Sequence, residues 1–339
     1  DNVRMLPRTA VWGYYDDNTL AALERVTDHK AKPETGEPRH RTWTIRAGSV
    51  VLATGALERP LVFPGNDRLG IMLAAAAERY AAEFGVLAGE RAVLFTNNDR
   101  AYRSAAALTR AGAKVGTIVD VRETVSAAAR RLAAECGAEL LTGRAVVGTE
   151  GRRQLSGVTV CAFDAKSGAI SGDTRNLTAD CLLVSGGWSP ALHLASQAGA
   201  RPRWDAALQA FLPPEPTQGW IAAGAVTGAY STAEALRQGH DAGRRAAGAA
   251  EGEETGLPLA SDDGLDPAPA PVFEIRADGK AFVDHQHDVT ADDVRLAHRE
   301  GFVSVEHLKR YTTLGMATDQ GKTSNVPGMA IMAAAVGKP

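Results

Sequence analysis

The sequence predicts an α/β fold in which strands of parallel sheets run into glycine turns and then into helices. Three observations predict it. Apolar runs at Ser49–Ala53, Cys181–Val184 and Gly219–Ala223 each enter a turn containing glycine, the pattern of buried parallel strands. Ala92–Thr96, Ala101–Ala111 and Val115–Val119 read as strand, helix and strand, one βαβ unit of roughly 30 residues. A helix from about Ser231 to Ala250 follows the turn Gly224–Gly228, which aims backbone N–H groups and the positive end of a helix dipole at a prospective anion.

The remaining elements follow in order. Ala10–Tyr14 is a strand. Leu20–Thr27 and Arg41–Arg46 flank the polar loop Lys30–Arg39 and read as a long hairpin. Gly70–Phe84 has helical apolar spacing and stops before Gly85, and Thr124–Cys136 is helical in composition. Short strands run through Val160, and Thr178–Val184 is a further strand. Glu251–Pro271 is rich in Gly, Pro, Asp and Glu and reads as a linker. Beyond it, Val289–Asp293 is a capped helix start, with Leu296, Phe302, Val305 and Leu308 as an apolar side.

Composition narrows the function classes. With 339 residues, 45% hydrophobic and 23% charged, the chain fits two or three globular domains. A net charge of -3 favours neither nucleic acid nor an anionic membrane. No apolar run reaches the ~18 residues of a membrane span. Cys136, Cys161 and Cys181 form no C-x-x-C pair, which argues for a reducing cytoplasm and against a zinc site or a disulfide reductase. His285 and His287 are two apart, with His298 and His307 further on, and no third ligand stands at metal-site spacing. Asp1 is not Met, and Val3–Tyr15 reads like the interior of a domain. We therefore expect a chain cut from a longer one.

The βαβ unit departs from the nucleotide-binding pattern. Where a G-x-G-x-x-G turn lets the backbone approach a pyrophosphate, this chain has Thr96, Asn97, Asn98, Asp99, Arg100 and Ala101. Phosphate binding there is expected to be lost. Asp120 ends the next strand and is either a ribose ligand or, more in keeping with that loss, a solvated strand end.

Longer stretches bring a resemblance. Val51–Pro60 (VLATGALERP), Phe63–Met72 (FPGNDRLGIM), Phe95–Asp99 (FTNND) and above all Ser304–Asn325 (SVEHLKRYTTLGMATDQGKTSN) resemble the sarcosine oxidase alpha subunit family. The resemblance implies a two-dinucleotide-binding, glutathione-reductase-like flavoprotein fold with a small α-rich C-terminal domain. It divides the chain into a partial dinucleotide-binding domain (1–85), an inserted, degenerate NADPH-like domain (86–178), the second segment of the first domain (179–250), a linker (251–271) and a small domain (272–339). It also implies that the family's N-terminal G-x-G-x-x-G strand and C-terminal folate-binding domain are missing.

The resemblance further implies an enzyme subunit that works with beta, gamma and delta partners in the cytoplasm. Such a complex oxidises sarcosine to glycine and hydrogen peroxide, and the one-carbon unit is released as formaldehyde or captured by tetrahydrofolate. NAD is held on alpha, FMN is shared at the interface with beta, FAD sits in beta, and no catalytic residue is expected on this chain. The implied dinucleotide residues are Val11, Ala53, Thr54, Gly55, Gly224, Ala225, Tyr230 and Thr232. For the flavin they are Lys309, Arg310, Thr312, Thr313, Gly315, Thr318, Gln320 and Lys322, with Gly315 and Gly321 read as flexible points. The C-terminal part also resembles a small iron–sulfur domain, with Asp284, Gln286, Asp319 and Ser324 at its cysteine positions, so no cluster is expected. The alternative is a non-catalytic nucleotide-binding scaffold in a related amine or opine dehydrogenase complex.

Overall fold

The computed structural model describes residues 2–248 and 260–338. In chain order the elements begin with β1 (Thr9–Tyr15), β2 (Thr19–Arg25), β3 (His40–Arg46), β4 (Val50–Leu52), β5 (Ala56–Glu58), β6 (Ile71–Leu73) and α1 (Ala74–Phe84). Next come β7 (Arg91–Thr96), α2 (Arg100–Arg110), β8 (Lys114–Asp120), α3 (Ala127–Cys136), β9 (Glu139–Thr142), β10 (Arg144–Glu150), β11 (Gly157–Asp164), β12 (Ala169–Thr178) and β13 (Cys181–Ser185). They are followed by β14 (Trp188–Pro190), α4 (His193–Gln197), β15 (Arg203–Asp205), β16 (Ala210–Leu212), β17 (Trp220–Ala222) and α5 (Thr232–Ala246). The last are β18 (Phe282–Asp284), β19 (Val289–Thr290), α6 (Ala291–Arg299), α7 (Val305–Thr312) and α8 (Asn325–Ala335).

The chain folds into two units. The first comprises residues 1–56, 190–205 and 211–262. In it β1, β2 and β3 form an antiparallel meander, so the expected hairpin gains a third strand. Asp17 and Asn18 turn β1 into β2 at φ 54° and 50°, the left-handed geometry that matches strand twist in a tight hairpin. Asn18 is also a staple: it accepts from Tyr14 Oη at 2.6 Å and donates to the carbonyls of Gly48 and Gly219. Those carbonyls lie just before β4 and β17, which pair in parallel with Leu52 opposite Ala222.

The second unit comprises residues 57–189, 206–210 and 263–339. Its centre is a parallel sheet in the order β6-β13-β7-β8-β9. Strand residues alternate between two cores, as a period of two requires. Val93, Phe95, Val119, Leu182 and Val184 face the antiparallel meander β10-β11-β12. Ala92, Leu94, Val115, Ile118 and Leu183 face residues of α1, α2 and α3.

Several expectations change here. Gly70–Phe84 is not all helix. Ile71–Leu73 is a strand paired with β13, because three apolar residues beside an open parallel edge gain more from pairing than from a first helical turn. Cys181–Val184 and 57–85 therefore belong with the inserted sheet, so the first expected segment ends near residue 56 and the second begins near 190. Residues 263–339 group with the same unit rather than standing apart. Helix α3 starts at Ala127 because Ser126 caps it. The helix expected to reach Ala250 ends at Ala246. Part of the Glu251–Pro271 linker, 251–259, lies outside the described residues.

In the C-terminal part, Thr290 and Asp293 form the expected reciprocal cap of α6. Its buried side is Ala291, Val294 and Ala297. Of the expected apolar side, Leu308 on α7 is buried and Phe302 packs partly buried against the same core, while Val305 is exposed. No helix among the described residues is long and apolar enough to cross a membrane.

One buried acid ties the end of β5 to the start of α1. Helix α1 begins after Leu73, which has no side-chain cap to offer. Glu58 supplies one instead, its Oε2 accepting from Ala75 N at 2.8 Å. Burial pushes the Glu58 carboxyl up to about 7, only partly offset by hydrogen bonds from Ser185 and Ala75. The folded state thus holds this proton more tightly than the unfolded chain, so stability falls as pH rises from about 4.5 to 7 and then levels. Glu58→Gln keeps an acceptor for Ala75 and abolishes that slope. We expect the variant to gain on the order of 3 kcal/mol relative to the parent at pH 8 and little at pH 5, read by urea unfolding at both pH values. An equal effect at the two pH values contradicts it.

Candidate functional site

The paired strands β4 and β17 bring two turns side by side. Beyond β4, Ala53 and Thr54 are exposed and Gly55 is left-handed at φ 75°. Thr54 Oγ1 donates to Ala191 O at 2.8 Å, and Gly55 O accepts from Ala191 N at 2.9 Å. Beyond β17, Gly224 is left-handed at φ 79° and opens a single 3-10 turn, Gly224–Thr227. A Cβ at Gly224 would meet only Ala235 at 3.9 Å, and one at Gly55 nothing within 4 Å. It is the backbone angle, then, that requires glycine here, and the space beside Gly55 is open.

Helix α5 then starts at Thr232, capped by Ser231 through Glu234 N. The Glu234 carboxylate lies in the first turn, where it would oppose an anion. It is drawn along the helix to Arg237 and Gln238, and the Arg237 bond first of all holds it below the usual carboxylate range. Thus Ala53, Thr54, Gly55, Gly224 and Ala225 come together at two adjacent strand ends, with Tyr230 and Thr232 at the opening of α5. Val11 does not join them: it sits in the separate meander, at a bulge in β1.

Sequence reasoning missed Gln238. Its Oε1 accepts from Gly224 N at 2.9 Å and from Thr227 Oγ1 at 2.8 Å, clamping the turn to its own helix. The one local signal was its i,i+4 spacing from Glu234. Left-handed glycines at two paired strand ends and a 15-residue helix opening beside them fit a dinucleotide's pyrophosphate. The N–H of Gly224 is already committed to Gln238.

The turn after β7 is built differently. Asp99 and Asp120 are both fully buried. Arg122 Nη2 lies 2.8 Å from Asp99 Oδ1 and 2.7 Å from Asp120 Oδ2, and its Nε donates to Asp120 Oδ1 at 2.9 Å. Tyr102 Oη donates to Asp120 Oδ2 at 2.8 Å. Burial pulls the guanidinium down, but the Asp120 hydrogen bond and the charges of Asp120 and Asp99 outweigh it and hold it above its usual range. Asp120 is therefore neither a ribose ligand nor a solvated strand end. Its capacity is spent on Arg122 and Tyr102.

The second candidate, Lys309–Lys322, is a built loop. Lys309, Arg310 and Thr312 lie on the last turn of α7, and Thr313 closes it at φ 65°. The hydroxyls are spent inside the protein: Thr312 donates to Leu308 O, Thr313 to Thr312 O and Thr318 to Gln286 Oε1. Gln320 donates to Ala317 O. These four groups are thus not the free donors that a phosphate would need. Lys309, Arg310 and Lys322 remain without an ion pair among the described residues, and they fit an anionic group.

Gly315 and Gly321 are not hinges. Both are left-handed, at φ 67° and 71°, and a Cβ on either would run into Asn325 Oδ1. Close packing sets them. Nearby, Pro60, Phe63, Ile71, Val184, His285 and Thr323 line a small apolar cavity of about 150 Å³.

Asp284, Gln286, Asp319 and Ser324 lie close together in the fold around one carboxylate and its loop. Asp284 is buried. Its Oδ1 accepts from Gln286 N and His287 N, and its Oδ2 from Gly315 N at 2.8 Å and Ser324 Oγ at 3.4 Å. One carboxylate thereby joins β18, the 313–324 loop and the start of α8. Asp319 turns within the loop to Gly321 N and Thr323 Oγ1.

Comparison with known proteins follows from this geometry. The Rhizobium meliloti (strain 1021) protein named sarcosine oxidase subunit alpha is 40% identical over 99% of this chain and 33% of its own length. Its Corynebacterium sp. (strain P-1) counterpart is 42% identical over 98% and 35%. The chain belongs to the sarcosine oxidase alpha subunit family. The family model of the sarcosine oxidase A3 domain matches residues 278–339, the part organised by Asp284. The chain spans about a third of the length of these sarcosine oxidase relatives. Among solved structures, L-proline dehydrogenase from P. horikoshii superposes over 98% of the chain and 60% of its own, at TM-score 0.60 and 17% identity. That likeness shows the two-dinucleotide-binding flavoprotein fold.

Asp284→Asn places an amide donor against the Gly315 and Ser324 donors or the Gln286 and His287 donors. We expect it to cost about 3 kcal/mol, measured by urea unfolding followed through Tyr311. A loss below about 1 kcal/mol shows that Asp284 does not hold the loop.

Proposed function

We propose that the chain is the nucleotide-binding part of the alpha subunit of a cytoplasmic, multi-subunit flavin-dependent sarcosine oxidase. The overall reaction takes sarcosine, oxygen and water to glycine, hydrogen peroxide and formaldehyde, or delivers the one-carbon unit to tetrahydrofolate. The observation that supports this reading is 40–42% identity along nearly the whole chain to proteins named for that subunit.

In this reading NAD lies at the β4–β17 turns. Gly55 and Gly224 let its backbone pass close, and the opening of α5 faces the pyrophosphate. FMN is shared with a beta subunit, whose FAD site performs the amine oxidation, and gamma and delta complete the assembly. When bound, the flavin accepts electrons and passes them to oxygen. This chain's part is electrostatic: Lys309, Arg310 and Lys322 hold negative charge at the loop, while Asp284, Asn325 and the two left-handed glycines fix the loop's shape. Catalytic acids or bases are assigned to beta.

A second reading, a nucleotide-binding scaffold without a flavin role, is favoured by the sealed turn at Asp99. Lys322→Met in the reconstituted complex separates the two. We expect oxygen consumption to slow by roughly 100-fold, or FMN content to fall, while anaerobic reduction of FAD by sarcosine keeps its rate. A collapse of FAD reduction with FMN and the oxygen step intact assigns the loop to the amine site. No effect on either favours the scaffold.

A further inference from the structure

In the second unit, residues 263–272 lie along the end of the sheet where a nucleotide would sit. The nucleotide end of a βαβ unit is the turn after its first strand and the opening of the following helix. Here that is Asn97–Asp99 and the first turn of α2. Asp266 N donates to Asp99 Oδ2 at 2.9 Å. Ala270 N donates to Asn97 O at 2.9 Å, and Asn97 Nδ2 donates to the carbonyls of Ala270 and Val272 at 3.0 and 3.1 Å. Asp263 pairs with Arg103 on the first turn of α2 at 3.2 Å. A Cβ at Gly264 would stand 3.7 Å from Ala128 Cβ, at the start of α3. Leu265 packs on the helical core.

The polarity of the site is reversed. A phosphate-binding turn presents N–H donors to an anion. Here the anion is the protein's own Asp99, which does not cap α2 but accepts an N–H from the crossing peptide. Asp120, at the ribose end, is closed by Arg122. Three alternating prolines, Pro267, Pro269 and Pro271, stiffen the segment, so little entropy is lost in holding it there.

We infer that this crevice is a peptide clamp whose ligand is the chain's own 263–272 segment, and that it admits no dinucleotide. The second nucleotide fold then serves to anchor the strand-like approach to Val272 and Ile275, which enter the meander-side core. The inference is independent of the assignment of NAD to the first unit.

Hydrogen exchange on the full chain in its assembled complex tests it, with NAD and NADPH as probes at millimolar concentration. Peptides covering 263–272 are expected to exchange slowly, and neither probe should change them or the 97–103 peptide. Asp99→Asn removes the charged acceptor but not the volume. It should speed exchange at 263–272 by about tenfold, the loss of one hydrogen bond to a charged group, and create no nucleotide protection at 97–103. The inference is overturned if either probe accelerates 263–272 while protecting 97–103 in the parent, or if Asp99→Asn leaves 263–272 unchanged. If that variant does not fold, the parent measurement alone decides.

Discussion

The ion cluster of Asp99, Asp120 and Arg122 determines how the larger unit is used. Three charges held together out of water are stable only while each keeps its partners, since removing one strands the others. Arg122 is shared between two carboxylates and Tyr102 satisfies a third bond, so no part of the cluster can turn toward a ligand without leaving a buried charge unpaired. The turn after β7 is thereby committed, and the 263–272 segment is held against it.

The two units solve the same topological problem in opposite ways. In each, a parallel strand ends in a turn before a helix. At β17 the turn is made by a left-handed glycine with open space beside its neighbour Gly55, while an amide, Gln238, holds it in shape. At β7 the turn carries side chains, and these fill the crevice. The C-terminal part repeats the second solution. There Asp284 joins β18, the 313–324 loop and the start of α8 by hydrogen bonds. In a chain with three cysteines, carboxylates do this work at both places.

Much of the fold was legible because its signals are local. The βαβ unit showed in strand and helix lengths, the cap of α6 in Thr290 and Asp293, and the glycine turns in their positions after apolar runs. Ile71–Leu73 was misread because three apolar residues before a helix look like its first turn, and only the partner strand 111 residues away decides otherwise. The 263–272 clamp segment was invisible because it has no periodicity, and its hydrogen-bond partners lie 160 or more residues earlier. For the candidate sites, the glycines were readable, whereas the spent hydroxyls of Thr312, Thr313 and Thr318 were not. A hydroxyl's partner depends on the surrounding fold and leaves no trace in residue type.

The central claim is that one dinucleotide fold is open and the other is closed by the protein itself. Counting bound NAD in the assembled complex, by native mass spectrometry of the parent and of Gly224→Val, tests it most directly. A branched side chain is strained at the left-handed angle of Gly224. The account predicts one NAD per alpha subunit in the parent and a large loss of it in the variant. Two NAD per subunit, or one that survives in a folded Gly224→Val complex, contradicts it.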